Sequence, residues 1–232
     1  MRLALDPNGV PYVFYRDNAN GNKATVMRFV NGAWSAVGPV GFSSGALTGP
    51  ALSIALDPQG TPYVAYEDGA QSNALTVKRF NSSTAQWVTV GTEGFSAGPI
   101  QYPDISIDST GVPYVVYMDN AISGKITVKQ WNGTAWVTLG TDGFSVGRVV
   151  DPNVLIDSTN TLYVVYYDGG LGDKAIMKKF DRATATWVTV GPEGFSPGTV
   201  HYLASTMSAS GTPYVAFRDT TVGDKITVMQ LN

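Results

Sequence analysis

The sequence predicts an all-β fold, a five-bladed β-propeller, on three observations. The tyrosine of a Pro-Tyr-Val triplet recurs at Tyr12, Tyr63, Tyr114, Tyr163 (as Leu-Tyr-Val) and Tyr214, at steps of 51, 51, 49 and 51 residues. Each repeat holds four short runs rich in β-branched and aromatic residues, separated by turn clusters. No segment carries an apolar stripe at helical spacing with caps. Four antiparallel strands repeated every ~50 residues is the pattern of a propeller blade.

The elements follow in order, and the second repeat shows them clearly. The first strand is "ALSIALD" (Ala51–Asp57), apolar and small. The stretches "DPNG", "DPQG" and "DSTG" join the first strand to the second. Asp at the start and Gly at the end suit a type I turn followed by a left-handed glycine. The second strand is "PYVAYED" (Pro62–Asp68). Its proline is tolerated because it opens the strand. Asp17, Asp68, Asp119, Asp168 and Asp219 close the second strands and are expected to accept backbone N–H groups of the next hairpin. The third strand is "ALTVKRF" (Ala74–Phe80) and the fourth "WVTVG" (Trp87–Gly91). Trp34, Trp87, Trp136 and Trp187, and the Gly-Phe-Ser triplets at Phe42, Phe95, Phe144 and Phe195, keep the same beat. This recurrence predicts blade-to-blade packing rather than a sugar platform.

On the first strand, Leu3, Ile54, Ile105, Val154 and Ser205 share one position, and Leu5, Leu56, Ile107, Ile156 and Met207 share another two residues on. Period-two spacing puts both sets on one face. Ala4, Ala55, Ser106, Leu155 and Thr206 take the other face and are mostly small. A lone four-stranded sheet exposes two apolar faces; radial stacking is expected to bury both faces of every blade. The repeats run approximately 1–49, 50–101, 102–150, 151–201 and 202–232, as a single domain. The fifth lacks the strand that begins with tryptophan. It is expected to form a three-stranded blade whose Lys225–Leu231 strand is an unpaired edge and a self-association site, in a chain cut from a longer parent.

Composition narrows the functions. The net charge is −3 and there is no basic stripe to neutralise phosphates, so nucleic acid is not an expected partner. No apolar run approaches the roughly 20 residues of a membrane span. Cysteine is absent, which excludes disulfides, thiolate metal sites and a cysteine nucleophile. A Thr/Asn/Gly-rich chain of low charge suits an extracellular or cell-surface module of bacterial type. No cofactor is expected. "DNANGNK" (Asp17–Lys23) offers one carboxylate and three asparagines, not the alternating acids of a calcium loop, so no metal site is expected.

The segments after Gly-Phe-Ser differ most between copies: "ALTGP", "PIQYPD", "RVVDPN" and "TVHYLA". They are read as rim loops that converge at one mouth of the axial channel, gathering Gln101, Tyr102, Asp104, Arg148, Asp151, Asn153, His201 and Tyr202 as candidate ligand-binding residues. His201 is the only histidine, so no multi-histidine metal site can form. No catalytic residue is assigned. Asp104 and Asp151 form the one carboxylate pair that a glycoside-active alternative would use.

"GKITVKQWNGTAWVTLG" (Gly124–Gly140) resembles the blade motif of fucose-binding-type propeller lectins, a G-K-I-T-E hairpin followed by W-D-G-x-x-W. The resemblance implies the blade plan. In that family an arginine and the glutamate of the hairpin hold the sugar. Here the glutamate position is Val128, with Val26, Val77, Met177 and Val228 in the other copies. The arginine position falls near Val115, with Val13, Val64, Val164 and Val215 elsewhere. The family's sugar grip is therefore absent. The whole chain also resembles repeat propellers of bacterial secreted or surface proteins. The expectation is a non-enzymatic binding or adhesion module for a glycan or a protein, with the glycoside-active enzyme and a ligand-free repeat scaffold as alternatives.

Overall fold

The computed structural model describes residues 1–231, apart from the side chains at 50 and 51. Blade one comprises β1 (Arg2–Leu5), β2 (Pro11–Asp17), β3 (Lys23–Val30) and β4 (Ala33–Ala36). Blade two comprises β5 (Leu47–Leu56), β6 (Pro62–Asp68), β7 (Ala74–Asn81) and β8 (Gln86–Thr89). Blade three comprises β9 (Ile100–Ile107), β10 (Pro113–Asp119), β11 (Lys125–Trp131) and β12 (Trp136–Thr138). Blade four comprises β13 (Val149–Ile156), β14 (Leu162–Asp168), β15 (Lys174–Asp181) and β16 (Thr186–Thr189). Blade five stops at three strands: β17 (Val200–Met207), β18 (Pro213–Asp219) and β19 (Lys225–Gln230). Every sheet is an antiparallel meander in chain order, and the first strands of all five blades face one axial cavity. The five-bladed propeller with a short fifth blade is the fold expected from the repeats.

The turns are held as their residues dictate. Asp6, Asp57, Asp108 and Asp157 each accept the backbone N–H groups two and four residues on, at 2.8–3.0 Å. Ser208 does half of this work in blade five, taking Thr212 N–H at 3.0 Å. The second-strand aspartates cap the next turn. Asp17 accepts Ala19 N–H at 3.1 Å and the Thr25 hydroxyl at 3.0 Å, and Asp68, Asp119 and Asp219 repeat the pair. In blade four Ile176 stands where the others have threonine. There Asp168 instead takes Val146 and Gly147 N–H groups from the preceding loop at 2.9 and 2.8 Å.

The core lies in the seams between blades. Tyr12, Phe14, Ala24 and Val26 of blade one pack on Leu52, Ile54, Val64 and Tyr66 of blade two, and three further seams repeat the scheme. Each Gly-Phe-Ser loop reaches into the next blade. Phe42 stacks on Trp87 at 4.4 Å between centroids, Phe95 on Trp136 at 4.8 Å and Phe144 on Trp187 at 5.1 Å. The same three indoles donate to the carbonyls of Val37, Val90 and Leu139 at 2.8–2.9 Å. The serine of the triplet ties the loop to its own blade. Ser43 accepts Ala24 N–H at 3.0 Å and donates to Gly45 at 2.6 Å, and Ser96, Ser145 and Ser196 do likewise.

The expectation that stacking buries both faces of every blade is corrected at one place. Among the described residues, apolar clusters fill four seams, and none joins blade five to blade one. Ile226 is 71% exposed, whereas Ile126 at the same position of blade three is 0% exposed. Val228 is 62% exposed against 1% for Val128. On blade one, Leu3 and Leu5 are likewise exposed. Trp34, expected to pack like its repeats, pairs with Phe29 of its own blade and is 46% exposed. The physical reason is that each face needs a neighbour of the complementary kind, and these two lack one. Burial of such a side chain is worth about 1.5–3 kcal/mol, so the four covered seams supply most of the apolar stabilisation among the described residues.

Candidate functional site at the channel mouth

The variable segments are not rim loops. They are the leading halves of the first strands, with a register shift or bulge in each: between Leu47 and Leu52 in blade two, between Val116 and Met118 in the blade-three pairing, and after Val150 and His201 in blades four and five. The bulge breaks the two-residue alternation, which is why the pattern reads as loop in the sequence. The bulge residues are Tyr102, Asp151 and Tyr202, with φ of 51°, 45° and 54°. A left-handed backbone at three non-glycine residues is strained, and such strain gathers at ligand sites. The prolines that follow, Pro103 and Pro152, sit on inner edge strands where a missing N–H breaks no ladder.

Two residues beyond the bulge, one repeat position faces the axis in every blade. Its occupants are Arg2, Ser53, Asp104, Asn153 and Ala204. Four of them stitch one blade to the next. Ser53 Oγ accepts Ile105 N–H at 3.3 Å, Asp104 Oδ2 accepts Val154 N–H at 3.0 Å, and Asn153 Oδ1 accepts Ser205 N–H at 3.1 Å. The other Asp104 oxygen accepts the Ser53 hydroxyl at 2.6 Å. Arg2 donates from Nε to the Leu52 carbonyl at 3.2 Å.

These side chains enclose a cavity of about 270 Å³, lined by Arg2, Ser53, Tyr102, Asp104, Asp151, Asn153 and Ser205 among others. Burial pushes the carboxyl of Asp104 up, against hydrogen bonds from Ser53 and Val154 and the charge of Arg2. Burial likewise raises Asp151, against a backbone hydrogen bond from Leu203 and the same guanidinium. Arg2 is thus the cation that both carboxylates feel.

The eight candidates from the sequence fall into two groups. Tyr102, Asp104, Asp151 and Asn153 line the axial cavity. Gln101, Arg148, His201 and Tyr202 stand around it. Arg148 donates to Gln101 Oε1 at 3.4 Å across the seam of blades three and four. His201 packs edge-on to Tyr167, with centroids 6.5 Å apart, and the exposed Tyr202 ring lies 5.6 Å below the Arg218 guanidinium. Asp104 differs from the rest, because both of its oxygens are engaged in holding the seam.

Sequence reasoning missed Arg2 and Glu67. Arg2 carries a legible signal, being the one cation at a repeat position otherwise held by Ser, Asp, Asn and Ala. Glu67 is the penultimate residue of β6 and lies beside Gly49, whose missing Cβ leaves room for the carboxylate. It is buried, its Oε1 has no hydrogen-bond partner, and burial pushes its carboxyl up to about 7. No sequence signal marks it. The positions corresponding to the lectin arginine and glutamate, Val115 and Val128, are buried in two different seams, so no sugar can be gripped there. Among the described residues no cluster of His, Asp and Glu could hold a metal ion, and no helix is long and apolar enough to cross a membrane.

No protein-family model matches the chain, and no curated protein matches it. Solved structures do. The SapL1 lectin in complex with α-methyl fucoside superposes with a TM-score of 0.69 at 16% identity, over 99% of this chain and 76% of that one. An arginine-to-alanine triple mutant of AofleA from Arthrobotrys oligospora gives 0.66 at 12% identity, over 99% and 68%. A polysaccharide lyase, an ulvan lyase bound to -[GlcA(1-4)Rha3S]-, gives 0.58 at 15% identity, over 100% and 64%. At these identities the likeness shows a shared propeller fold.

Proposed function

We propose that this propeller is a non-enzymatic binding module, exposed at a cell surface or outside the cell, that recognises glycans at the mouth of its axial channel. The observation that carries the reading is the convergence of Tyr102 and Asp151, both held at strained bulges, with Arg2 and Asn153 around one polar cavity. Carboxylate and amide oxygens accept sugar hydroxyls, a guanidinium donates to them, and a tyrosine ring offers a flat face to the C–H groups of a pyranose. Two structural neighbours are carbohydrate-bound proteins of different kinds, a lectin and a lyase, which supports a sugar without choosing its type.

The test is a glycan array probed with multivalently displayed protein, since single shallow sites gain most from avidity. Reproducible binding to one sugar class, lost in Asp151→Asn and Tyr102→Ala, is the expected result. A blank array on folded protein sinks the glycan reading and turns attention to a protein ligand. The shared cavity of Asp104 and Asp151 favours one second reading, a glycoside-active enzyme. In that case Asp151→Asn abolishes hydrolysis of a sugar that the variant still binds. The engagement of both Asp104 oxygens in the seam weighs against it.

A further inference from the structure

Most polar groups of the axial cavity are spent on the protein itself. Ser53 donates to Asp104 at 2.6 Å and accepts Ile105 N–H at 3.3 Å. The second Asp104 oxygen takes Val154 N–H at 3.0 Å. Asn153 donates from Nδ2 to the Asp151 main-chain carbonyl at 3.0 Å, and its Oδ1 accepts both the N–H and the hydroxyl of Ser205 at 3.1 Å. These bonds hold the seams and leave the groups little capacity for a ligand.

Two charged groups are spent least, and they do not pair with each other. Arg2 uses Nε on the Leu52 carbonyl at 3.2 Å, and its terminal Nη groups meet no acceptor among the described residues. The Asp151 side chain takes one backbone N–H, from Leu203. Among the described residues no Lys, Arg or His nitrogen lies within 4.0 Å of Asp151 or Asp104. The charged residues lining the cavity are Arg2, Asp104 and Asp151, so two carboxylates face one guanidinium and negative charge is in excess. Burial works against that charge, and it raises the Asp151 carboxyl. A cationic donor relieves it, since a hydrogen bond between ionised partners is roughly twice as strong as a neutral one. An anionic ligand adds to the excess.

We propose that the axial cavity selects a sugar unit with a free, protonated amine, an unacetylated hexosamine, whose ammonium group bonds to Asp151. The hydroxyl next to the amine accepts from Arg2, and the Tyr102 ring offers its face to the cationic side of the pyranose. A cavity of about 270 Å³ is at the small end of ligand sites and suits a single ring. N-acetylation removes the charge that Asp151 answers, and a uronic acid brings a charge of the wrong sign. The inference rests on the glycan reading and names the sugar class of that same site.

The test is calorimetric titration of the intact chain with methyl glucosaminide, its N-acetyl derivative, methyl glucoside and methyl glucuronide. The amine is expected to bind about tenfold or more tighter than the other three. Asp151→Asn should erase that preference, with a melt by circular dichroism to show that the variant folds. Asp142→Asn removes an exposed carboxylate outside the cavity and should keep the preference. An equal loss in both variants would make the preference an effect of net charge and overturns the proposal. So does Nα-acetyl-lysine amide binding as tightly as the glucosaminide, which would give the cavity to a lysine side chain. A neutral or acidic sugar that binds as tightly as the amine, and is lost in Tyr102→Ala, overturns the amine inference and leaves the glycan reading standing. No binding of the glucosaminide up to about 10 mM overturns it as well, and a blank glycan array beside that result removes both.

Discussion

Ser53 donates its hydroxyl to Asp104 across the seam between the second and third blades, at 2.6 Å. Asp104 then accepts Val154 N–H in the fourth blade at 3.0 Å, so one carboxylate links three consecutive blades at the axis. Asp104→Ala leaves the Ser53 hydroxyl and a backbone donor without their acceptor. The expected loss is about 2–4 kcal/mol of unfolding free energy, measured by urea denaturation. A loss below about 1 kcal/mol would show that the link is dispensable.

The tryptophans separate by position rather than by type. Trp87 is 8% exposed, stacked on Phe42 and bonded to Val37, so Trp87→Ala should cost about 3–5 kcal/mol. Trp34 lies on the open face of blade one, and Trp34→Ala should cost under about 1 kcal/mol. The same urea series reads both. Similar costs would mean that the open face is covered in solution.

Tyr66, Tyr117 and Tyr166 hold one repeat position, and each hydroxyl is buried with no hydrogen-bond partner. Burial pushes all three phenols up, reinforced by the aspartate that caps the next turn. Blade five carries Phe217 at this place and buries it equally well. Tyr117→Phe is therefore expected to leave stability unchanged or raise it by about 1 kcal/mol, because an unsatisfied hydroxyl is removed without changing shape. A clear destabilisation would reveal a partner for the hydroxyl.

Glu67 sets a pH dependence. Its carboxyl is raised by burial from 4.5 to about 7, so the folded state holds a proton that the unfolded chain releases. The sign is that of a raised acid: its contribution is greatest below about pH 4.5 and is lost as pH rises to about 7. The loss over this window is at most roughly 3–4 kcal/mol. Glu67→Gln should flatten that part of a stability profile from urea melts. An unchanged profile in the variant would assign the slope to another group.

Much of this molecule is legible in its repeats. The beat of Tyr12, Tyr63, Tyr114, Tyr163 and Tyr214 gives the blade number, and the Asp-to-Gly turns give the strand order. Local chemistry decides these features, since a turn or a capping aspartate needs only its near neighbours in sequence. The packing role of Trp87, Trp136 and Trp187 is legible for a related reason, because residues that recur in every copy serve what every copy shares. The candidate site is half legible. Variation between copies singles out Tyr102 and Asp151, and the repeat position shared by Asn153 and Asp104 points to the axis.

Three things were decided only in three dimensions. The left-handed bulges at Tyr102, Asp151 and Tyr202 shift the strand register, and no side-chain pattern encodes a one-residue slip in advance. The engagement of Asp104 with Ser53 and Val154 joins residues 51 and 50 positions away, a pairing that exists only once blades stack. Ile226 and Ile126 occupy the same repeat position in near-identical sequence, yet one is open to solvent and the other sealed. Burial depends on what stands across the seam, and no residue carries that information alone.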